Sequence, residues 1–225
     1  AVNLITQDDD LSDEQKNAVA EKLLLPKMGE GWNSDAAKKY LAGIPATKLV
    51  YFKYEASKIS EDVDADNSIR KDDKSDYKNV RSDSMIQEAG LSFDQEQALR
   101  FFMFGKSSLA TWQWSDVAQE GADDEKPVAS ALEQSGLDQA QYQIIKSGLY
   151  RIHADKDSNG EAISGTAKKK KIAYLAQWNL TDEQRNLIMK AIGYKYGMGE
   201  KNQKTKKSSG ISKSSGRSKS SGGSK

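Results

Sequence analysis

The sequence predicts an all-α fold of repeated helix hairpins, with a period of about 45 residues, together with acidic loops and a disordered basic tail. Two observations favour it. A leucine, a helix-capping residue and a later glutamine recur four times, and apolar residues at the spacing of one helix face follow each copy. No convincing strand pattern competes with the helices; only residues 48–54 leave a short strand open as an alternative.

The four copies of this motif place the same residue types at the same spacing. Each begins with a leucine and continues with a helix-capping residue, whose side chain can accept a backbone N–H, and a glutamine follows three positions after the cap. The predicted caps are Ser12, Ser92, Asp138 and Thr181.

Each predicted cap is followed by an apolar helix face. The four faces consist of Ala18, Val19 and Leu23; Ala98, Leu99, Phe102 and Met103; Ile144, Ile145 and Leu149; and Leu187, Ile188, Ala191 and Ile192. The last three helices are predicted to end near Gly105, Gly148 and Gly193. A shorter helix precedes each of the last three anchors, marked by Met85 and Ile86, Ala131 and Leu132, and Tyr174 and Leu175. Paired helices of this kind bury their apolar faces by stacking on their neighbours.

The chain divides into three segments by composition. Residues 1–58 form an N-terminal helical segment, in which helices over 34–42 and 46–57 are separated by Gly43 and Pro45. Residues 59–198 contain the helix-hairpin repeats with acidic loops, and residues 199–225 are a tail of Lys, Ser and Gly. With almost no apolar side chain to bury, the tail is predicted to be disordered.

Composition excludes several kinds of chemistry. The 225 residues contain no cysteine, which removes disulfides, thiolate zinc sites and cysteine nucleophiles. The single histidine, His153, has no pattern of a catalytic triad around it, and beside Asp155 it is predicted to close a turn. No run approaches the roughly 18 apolar residues of a membrane span. We therefore predict a non-enzymatic protein without catalytic residues, small-molecule substrate or transmembrane segment.

The segment 155–160 resembles the opening of a calcium-binding helix-loop-helix site. Candidate oxygen ligands alternate along it, at Asp155, Asp157, Asn159 and Glu161, and Gly160 permits the sharp reversal. The twelfth position, where such loops carry a bidentate Glu, holds Thr166. The alternative is a turn between helices stabilised by Asp and Asn side chains.

A second acidic segment offers the same spacing. Its candidate ligands are Asp62, Asp64, Asp66 and Asp73, with Asn67 at the position that favours a left-handed conformation. Asp73 stands at the twelfth position and is one methylene shorter than the expected Glu. Calcium is the one cofactor that the sequence suggests, and a purely structural role for both loops is the alternative.

Two further clusters have competing interpretations. Trp112, Trp114, Phe101, Phe102 and Phe104 suit either a partner-binding patch or the core, and the core is favoured because the phenylalanines lie on or beside an apolar helix face. The lysine run 168–171 suits phosphate binding or a solvated helix face, and the solvated face is favoured.

Charge is distributed unevenly along the chain. Residues 201–225 carry eight basic side chains and no acidic one, so residues 1–200 are net negative although the whole chain is at +1. Such a tail attracts phosphate or an acidic neighbour without reading bases. The candidate tether residues for nucleic acid or a partner are Lys204, Lys206, Lys207, Lys213, Arg217 and Lys219.

Residues 154–175, followed by Asn179-Leu-Thr-Asp-Glu-Gln184 and Gly193-Tyr-Lys195, resemble a module in the C-terminal parts of large multi-domain virion proteins of tailed bacteriophages. Those proteins include tape-measure-like and internal or ejection proteins. The resemblance implies a structural or ejection-associated virion protein, present in multiple copies, which packs against capsid, portal or tail chains. Its location would be the virion, and the host cytoplasm during assembly.

Two other functional classes stay open from the sequence. The acidic loops favour a calcium-binding helical interaction module, which requires loops able to close around the ion. The tail favours a nucleic-acid-binding accessory protein.

Overall fold

The computed structural model describes residues 10–104, 114 and 126–195, and these ranges are mainly helical. They contain ten α-helices, as the sequence predicts for the fold class. The helices are α1 (Asp13–Val19), α2 (Glu30–Asn33), α3 (Asp35–Tyr40), α4 (Ala46–Ala65), α5 (Lys74–Glu88), α6 (Phe93–Phe104), α7 (Lys126–Gln134), α8 (Gln139–Tyr150), α9 (Thr166–Ala176) and α10 (Asp182–Lys195). Within these described ranges, none of the helices is both long and apolar enough to span a bilayer.

The predicted caps lie at the starts of four helices. Ser12, Ser92 and Thr181 each accept the backbone N–H of the glutamine three positions later, and that glutamine side chain accepts the N–H of the cap residue in return. Asp138 accepts from the amides of Ala140 and Gln141. The caps were therefore predicted correctly, because capping depends on residues close in sequence.

The first helix differs from its predicted apolar face. After α1 the chain continues as a π-helix over Ala20–Leu24 and a 3₁₀ turn over Leu25–Lys27. The wider π-turn rotates the following side chains, so that Ala20 and Met28 are buried while Leu23 is 57% exposed. Ala18 is also exposed and Val19 is only half-buried. The predicted face of Ala18, Val19 and Leu23 is wrong for this reason.

The segment 48–54 is helical, which settles the strand alternative. It lies inside α4, which starts after Pro45 and runs to Ala65, beyond the predicted end at residue 57. The separation at Gly43 and Pro45 is confirmed, since Gly43 has a φ of 81° and α3 ends at Tyr40. Because α4 extends to Ala65, the first residues of the acidic segment, Asp62 and Asp64, lie in a helix and not in a loop.

One apolar core connects the helices. In the first half, α3 and α4 both pack on α6, and α4 also packs on α5; in the second half, α7 and α8 both pack on α10, and α8 also packs on α9. The two halves meet where α6 contacts α8. The largest side chains that are fully buried include Leu99 on α6 and Tyr142, Ile144 and Ile145 on α8. Burial of this kind supplies the main driving force for folding.

Two capping glutamines also join the helices within each half. Gln95 Nε2 donates to the carbonyl of Ala42, 53 positions earlier in the chain, at 2.7 Å. Gln184 Nε2 donates to the carbonyl of Ser135, 49 positions earlier, at 3.0 Å. Both acceptors directly precede a glycine with positive φ, so the same tie occurs at matching places in the two halves.

Helix α8 ends at Tyr150, two positions after Gly148 and therefore near its predicted end. Gly148 lies inside a helix that runs to Tyr150, and the hydroxyl of Tyr174 on α9 packs directly over it. A Cβ at this position would come within 2.0 Å of Tyr174 Oη. This glycine therefore allows two helices to approach closely. Helix α10 similarly ends at Lys195, two positions after Gly193, and Gly105 lies outside the described residues.

Candidate functional site

The first acidic segment begins in a helix. Asp62 and Asp64 belong to the last turn of α4, while Asp66 follows the helix and Asp73 immediately precedes α5. Side chains two positions apart on a helix point about 200° apart, so Asp62 and Asp64 do not line one face as they would in a ligand loop. The sequence placed this segment in a loop because it assigned the end of α4 eight residues too early.

Cationic side chains of α5 contact the carboxylates of Asp62 and Asp64 and the carbonyl of Asp64. Lys78 Nζ lies 2.8 Å from Asp64 Oδ2, Lys74 Nζ donates to the carbonyl of Asp64, and Arg81 lies 3.9 Å from Asp62. Asp66 accepts the N–H and the hydroxyl of Ser68, and these hydrogen bonds lower the pKa of its carboxyl. Three of these five contacts connect the end of α4 to α5, and the two from Ser68 stabilise the turn between the helices.

The second acidic segment is a closed loop between α8 and α9. Lys156 and Ala162 form an antiparallel bridge, and Gly160 adopts a φ of 82° at the reversal. Asp157 Oδ1 accepts the amides of Asn159 and Glu161, at 2.8 and 3.0 Å. The hydroxyl of Thr166 accepts the amide of Asp155, so the residue at the twelfth position closes the loop.

A lysine also contacts the acid of this second loop. Lys170 Nζ forms a salt bridge with Asp155 Oδ1. Lys170 is the fifth residue of α9, as Lys78 is the fifth residue of α5, so each acidic segment is paired with the same position of the following helix. In the part of the chain that the structure describes, there is no group of three or more His, Cys, Asp or Glu side chains able to hold a metal ion. Calcium binding stays a prediction.

A cavity lined by described residues lies elsewhere, between the two halves. We call it the arginine groove. It has a volume of about 340 Å³, and α5, α6, the end of α8 and α9 form its walls. Its lining residues are Asp76, Asn79, Val80, Asp83, Gln97, Arg100, Gly148, Arg151, Ile152, His153 and Tyr174. A second depression extends the groove along α9 to Lys170 and Gln177. It shares four lining residues with the first: Arg151, Ile152, His153 and Tyr174.

Helix periodicity explains one wall of the groove. Asp76, Asn79, Val80 and Asp83 recur at three- and four-residue intervals and therefore lie on one face of α5. His153 stands at the edge, with its Nε2 3.5 Å from Asp76 Oδ2. The chain at His153, where a turn was predicted, has no assigned turn. Its contact with Asp76 joins this segment to α5 and so connects the two halves.

The two arginines of the groove have different partners. Arg100 is buried, and its guanidinium binds the carboxylates of Glu96 and Asp83. Arg151 is half-buried and donates to the amide oxygen of Gln97 at 2.8 Å. Burial lowers the pKa of Arg151, and the positive charge of Arg100 lowers it further. Arg151 is therefore a cation with a neutral partner.

Tyr174 forms the floor beside Arg151. Its ring lies edge-on to Phe93 and Trp178, with ring centroids 5.6 and 6.2 Å away, and is 8% exposed. Burial raises the pKa of its hydroxyl well above the usual value. Within the described part of the chain, Tyr174 Oη and Asn79 Oδ1 are buried without a hydrogen-bond partner. The wall of the groove thus contains unused hydrogen-bonding capacity.

The remaining predicted clusters are placed as follows. Phe101 and Phe102 are in the core as predicted. The ring centroid of Trp114 lies 5.5 Å from that of Tyr142. The lysine run 168–171 was predicted to be a solvated helix face. Residues 168–170 are exposed as predicted, but Lys171 is only 3% exposed, so the prediction is wrong for that residue. Lys171 faces inward because it stands three positions before Tyr174 on the same face of α9. Trp112 and the tether residues 204–219 lie outside the described residues.

Comparison with protein-family models, with characterised proteins and with solved structures finds no match for this chain.

The sequence did not predict the arginine groove. Its residues come from four separate elements, and Arg100 and Arg151 stand 51 positions apart without a shared motif. The one local signal was the spacing of Asp76, Asn79 and Asp83 on α5, which is ordinary for an exposed helix face. A site assembled from distant elements requires the packing of α6 against α8.

Proposed function

We propose that this chain is a non-enzymatic virion protein of a tailed bacteriophage, structural or ejection-associated, which works by packing against other capsid, portal or tail chains. The resemblance of residues 154–195 to virion modules supports the phage assignment. The observation that carries the packing role is a pair of tyrosines on the outer side of α4. Tyr51 and Tyr54 are 44% and 36% exposed on the longest helix that the structure describes.

Tyrosine is the residue type expected in such a contact. Its large ring buries much area at low entropic cost, and its hydroxyl finds a partner at the edge of an interface. Tyr51 and Tyr54 are three positions apart and therefore share one side of α4. Lys58 Nζ lies 4.2 Å from the centre of the Tyr54 ring, so the aromatic surface is held beside a positive charge.

Repetition within the chain fits an assembly role as well. The Gln95 and Gln184 ties, and the Lys78 and Lys170 pairs, occur at corresponding places in α3–α6 and α7–α10. We infer that the chain contains two copies of a four-helix unit, about 90 positions apart, each made of two of the predicted hairpins. Proteins built in this way present long side surfaces to several neighbours.

The test is incorporation into particles. A chain with Tyr51→Ser and Tyr54→Ser is expected to fold normally and to enter purified particles at least about tenfold less than wild type, since interface aromatics are frequent hot spots. The control is Ile172→Ser, which removes an apolar side chain of 49% exposure from α9. Equal incorporation of both variants and wild type would remove the tyrosines from the proposal.

A calcium-binding helical interaction module is the second candidate. The closed loop 155–166, with Gly160 in the left-handed region, favours it. Because Lys170 contacts Asp155, calcium would have to displace an ammonium ion, and Lys170→Ala should increase its affinity. Isothermal titration with calcium tests this: saturable heat that Asp157→Ala abolishes supports it, and no heat at millimolar calcium in the Lys170→Ala variant excludes it.

A further inference from the structure

The arginine groove contains a positive charge that the described part of the chain does not neutralise by direct pairing. Arg100 binds two carboxylates, whereas the one hydrogen bond of Arg151 there goes to the neutral amide of Gln97. A guanidinium carries five N–H donors in a planar fork. The nearby carboxylates of Asp83 and Glu96 attract Arg151 but form their salt bridges with Arg100. A partly buried charge without a direct ion pair is costly, so Arg151 is prepared to receive an anion.

We propose that the arginine groove binds a carboxylate group, which Arg151 receives through the unused N–H donors of its guanidinium. The carboxylate comes either from a free small organic acid or from an acidic side chain of a partner protein. A cavity of about 340 Å³ that extends along α9 accommodates either source. The proposal does not depend on the virion role.

The acids around the groove favour a carboxylate over a phosphate. Asp76 and Asp83 line the same cavity on the α5 side. Their repulsion increases with the charge of the ligand, so a doubly charged phosphate is disfavoured more than a singly charged carboxylate. A carboxylate is also planar and matches the guanidinium fork with two parallel hydrogen bonds.

Titration of the isotopically labelled full chain with glutarate, a glutamate-rich peptide and inorganic phosphate, followed by NMR, tests the proposal. Glutarate or the peptide is expected to shift the amide resonances of Gln97, Ile152 and His153 saturably, with phosphate weaker than both. A stronger response to the peptide than to glutarate identifies a partner protein as the source, and comparable responses identify a free acid.

Three variants make the test specific to Arg151. Arg151→Gln should weaken binding about 10- to 100-fold, the loss expected for a charge-assisted bidentate contact. Arg151→Lys retains the charge without the fork and should retain part of the affinity, which keeps the test valid should Arg151→Gln unfold. Arg185→Gln removes an exposed arginine paired with Asp182 and should change nothing. Absence of saturable shifts in wild type, equal affinity in Arg151→Gln and Arg185→Gln, or tighter binding of phosphate would overturn the proposal.

Discussion

The buried hydroxyl oxygen of Tyr174 is expected to lower the free energy of unfolding. Its ring packs against Phe93 and Trp178, but its buried hydroxyl has no partner within the described residues. A buried polar group without a hydrogen bond costs about 1 to 3 kcal/mol. Tyr174→Phe, which retains the ring, is therefore expected to leave the free energy of unfolding unchanged or raise it by up to about 1 kcal/mol.

Urea unfolding followed by circular dichroism measures this effect. The control is Tyr174→Ala, which also removes the ring contacts and should cost about 3 kcal/mol or more. A clear loss of stability in Tyr174→Phe would mean that the hydroxyl makes a stabilising hydrogen bond after all.

Gly148 should reverse the usual effect of a Gly→Ala change in a helix. Alanine normally stabilises a helix interior by about 0.5 to 1 kcal/mol relative to glycine. Here the added Cβ meets Tyr174 Oη at 2.0 Å and the ring carbon behind it at 2.4 Å. Gly148→Ala is expected to lower the free energy of unfolding by about 1 to 3 kcal/mol through overpacking. Ser147→Ala, one position earlier on α8, is the control and should be near neutral; a stabilised Gly148→Ala variant would contradict the close packing of α8 and α9.

The residue scale also shows what could be read from the sequence. Ser12, Ser92 and Thr181 were identified as caps because each acts on a backbone group three positions away. The packing role of Gly148 was not predicted, because it depends on Tyr174, which is remote in sequence. Local chemistry is visible in the sequence, whereas a close approach of two helices is not.

At the scale of the elements, the capping glutamines differ in whether they also make a tertiary hydrogen bond. Among the described residues, Gln15 makes only the capping box of α1, while Gln184 caps α10 and also donates to the carbonyl of Ser135 after α7. Glutamate preserves the capping box, and its charge suits a helix N-terminus. It has no N–H to donate, however, and its charge repels a carbonyl oxygen.

Gln184→Glu is therefore expected to destabilise the chain by about 1 to 2 kcal/mol through the lost tertiary hydrogen bond. Gln15→Glu is the matched control and should be neutral or slightly stabilising. Thermal or urea unfolding of the two variants makes the comparison. Equal effects at the two positions would show that the tie between α10 and α7 contributes nothing.

Sequence patterns predicted the helix faces more accurately than the helix boundaries. The apolar faces of α6, α8 and α10 were predicted correctly, because a regular helix keeps its period over three turns. The π-turn at Ala20–Leu24 and the continuation of α4 to Ala65 were missed. The π-turn packs on α4, and the last turn of α4 is joined to α5 by Lys74, Lys78 and Arg81, so both features involve tertiary contacts. The extension of α4 places Asp62 and Asp64, predicted as loop ligands, in a helix.

At the scale of the whole molecule, the basic tail and the body are expected to act separately. Deleting residues 201–225 removes eight positive charges and a single hydrophobic residue, Ile211, so the melting temperature of the body should not change. Association with particles or DNA should weaken, and its dependence on salt concentration should become shallower, because fewer counterions are released on binding. Binding measured between about 50 and 200 mM salt tests this. A truncated chain with unchanged affinity and salt dependence would exclude the tail as a tether.

The proposed virion role requires assembly into a particle, and the amount of this chain in purified particles tests that role most directly. If the proposal is correct, quantitative mass spectrometry of phage particles finds the chain at a fixed ratio to the major capsid and portal proteins, in a copy number compatible with the symmetry of its neighbours. The ratio should persist through repeated purification at moderate salt. Absence of the chain from mature particles and from assembly intermediates, or catalytic turnover of a small molecule by the purified chain, would contradict the account.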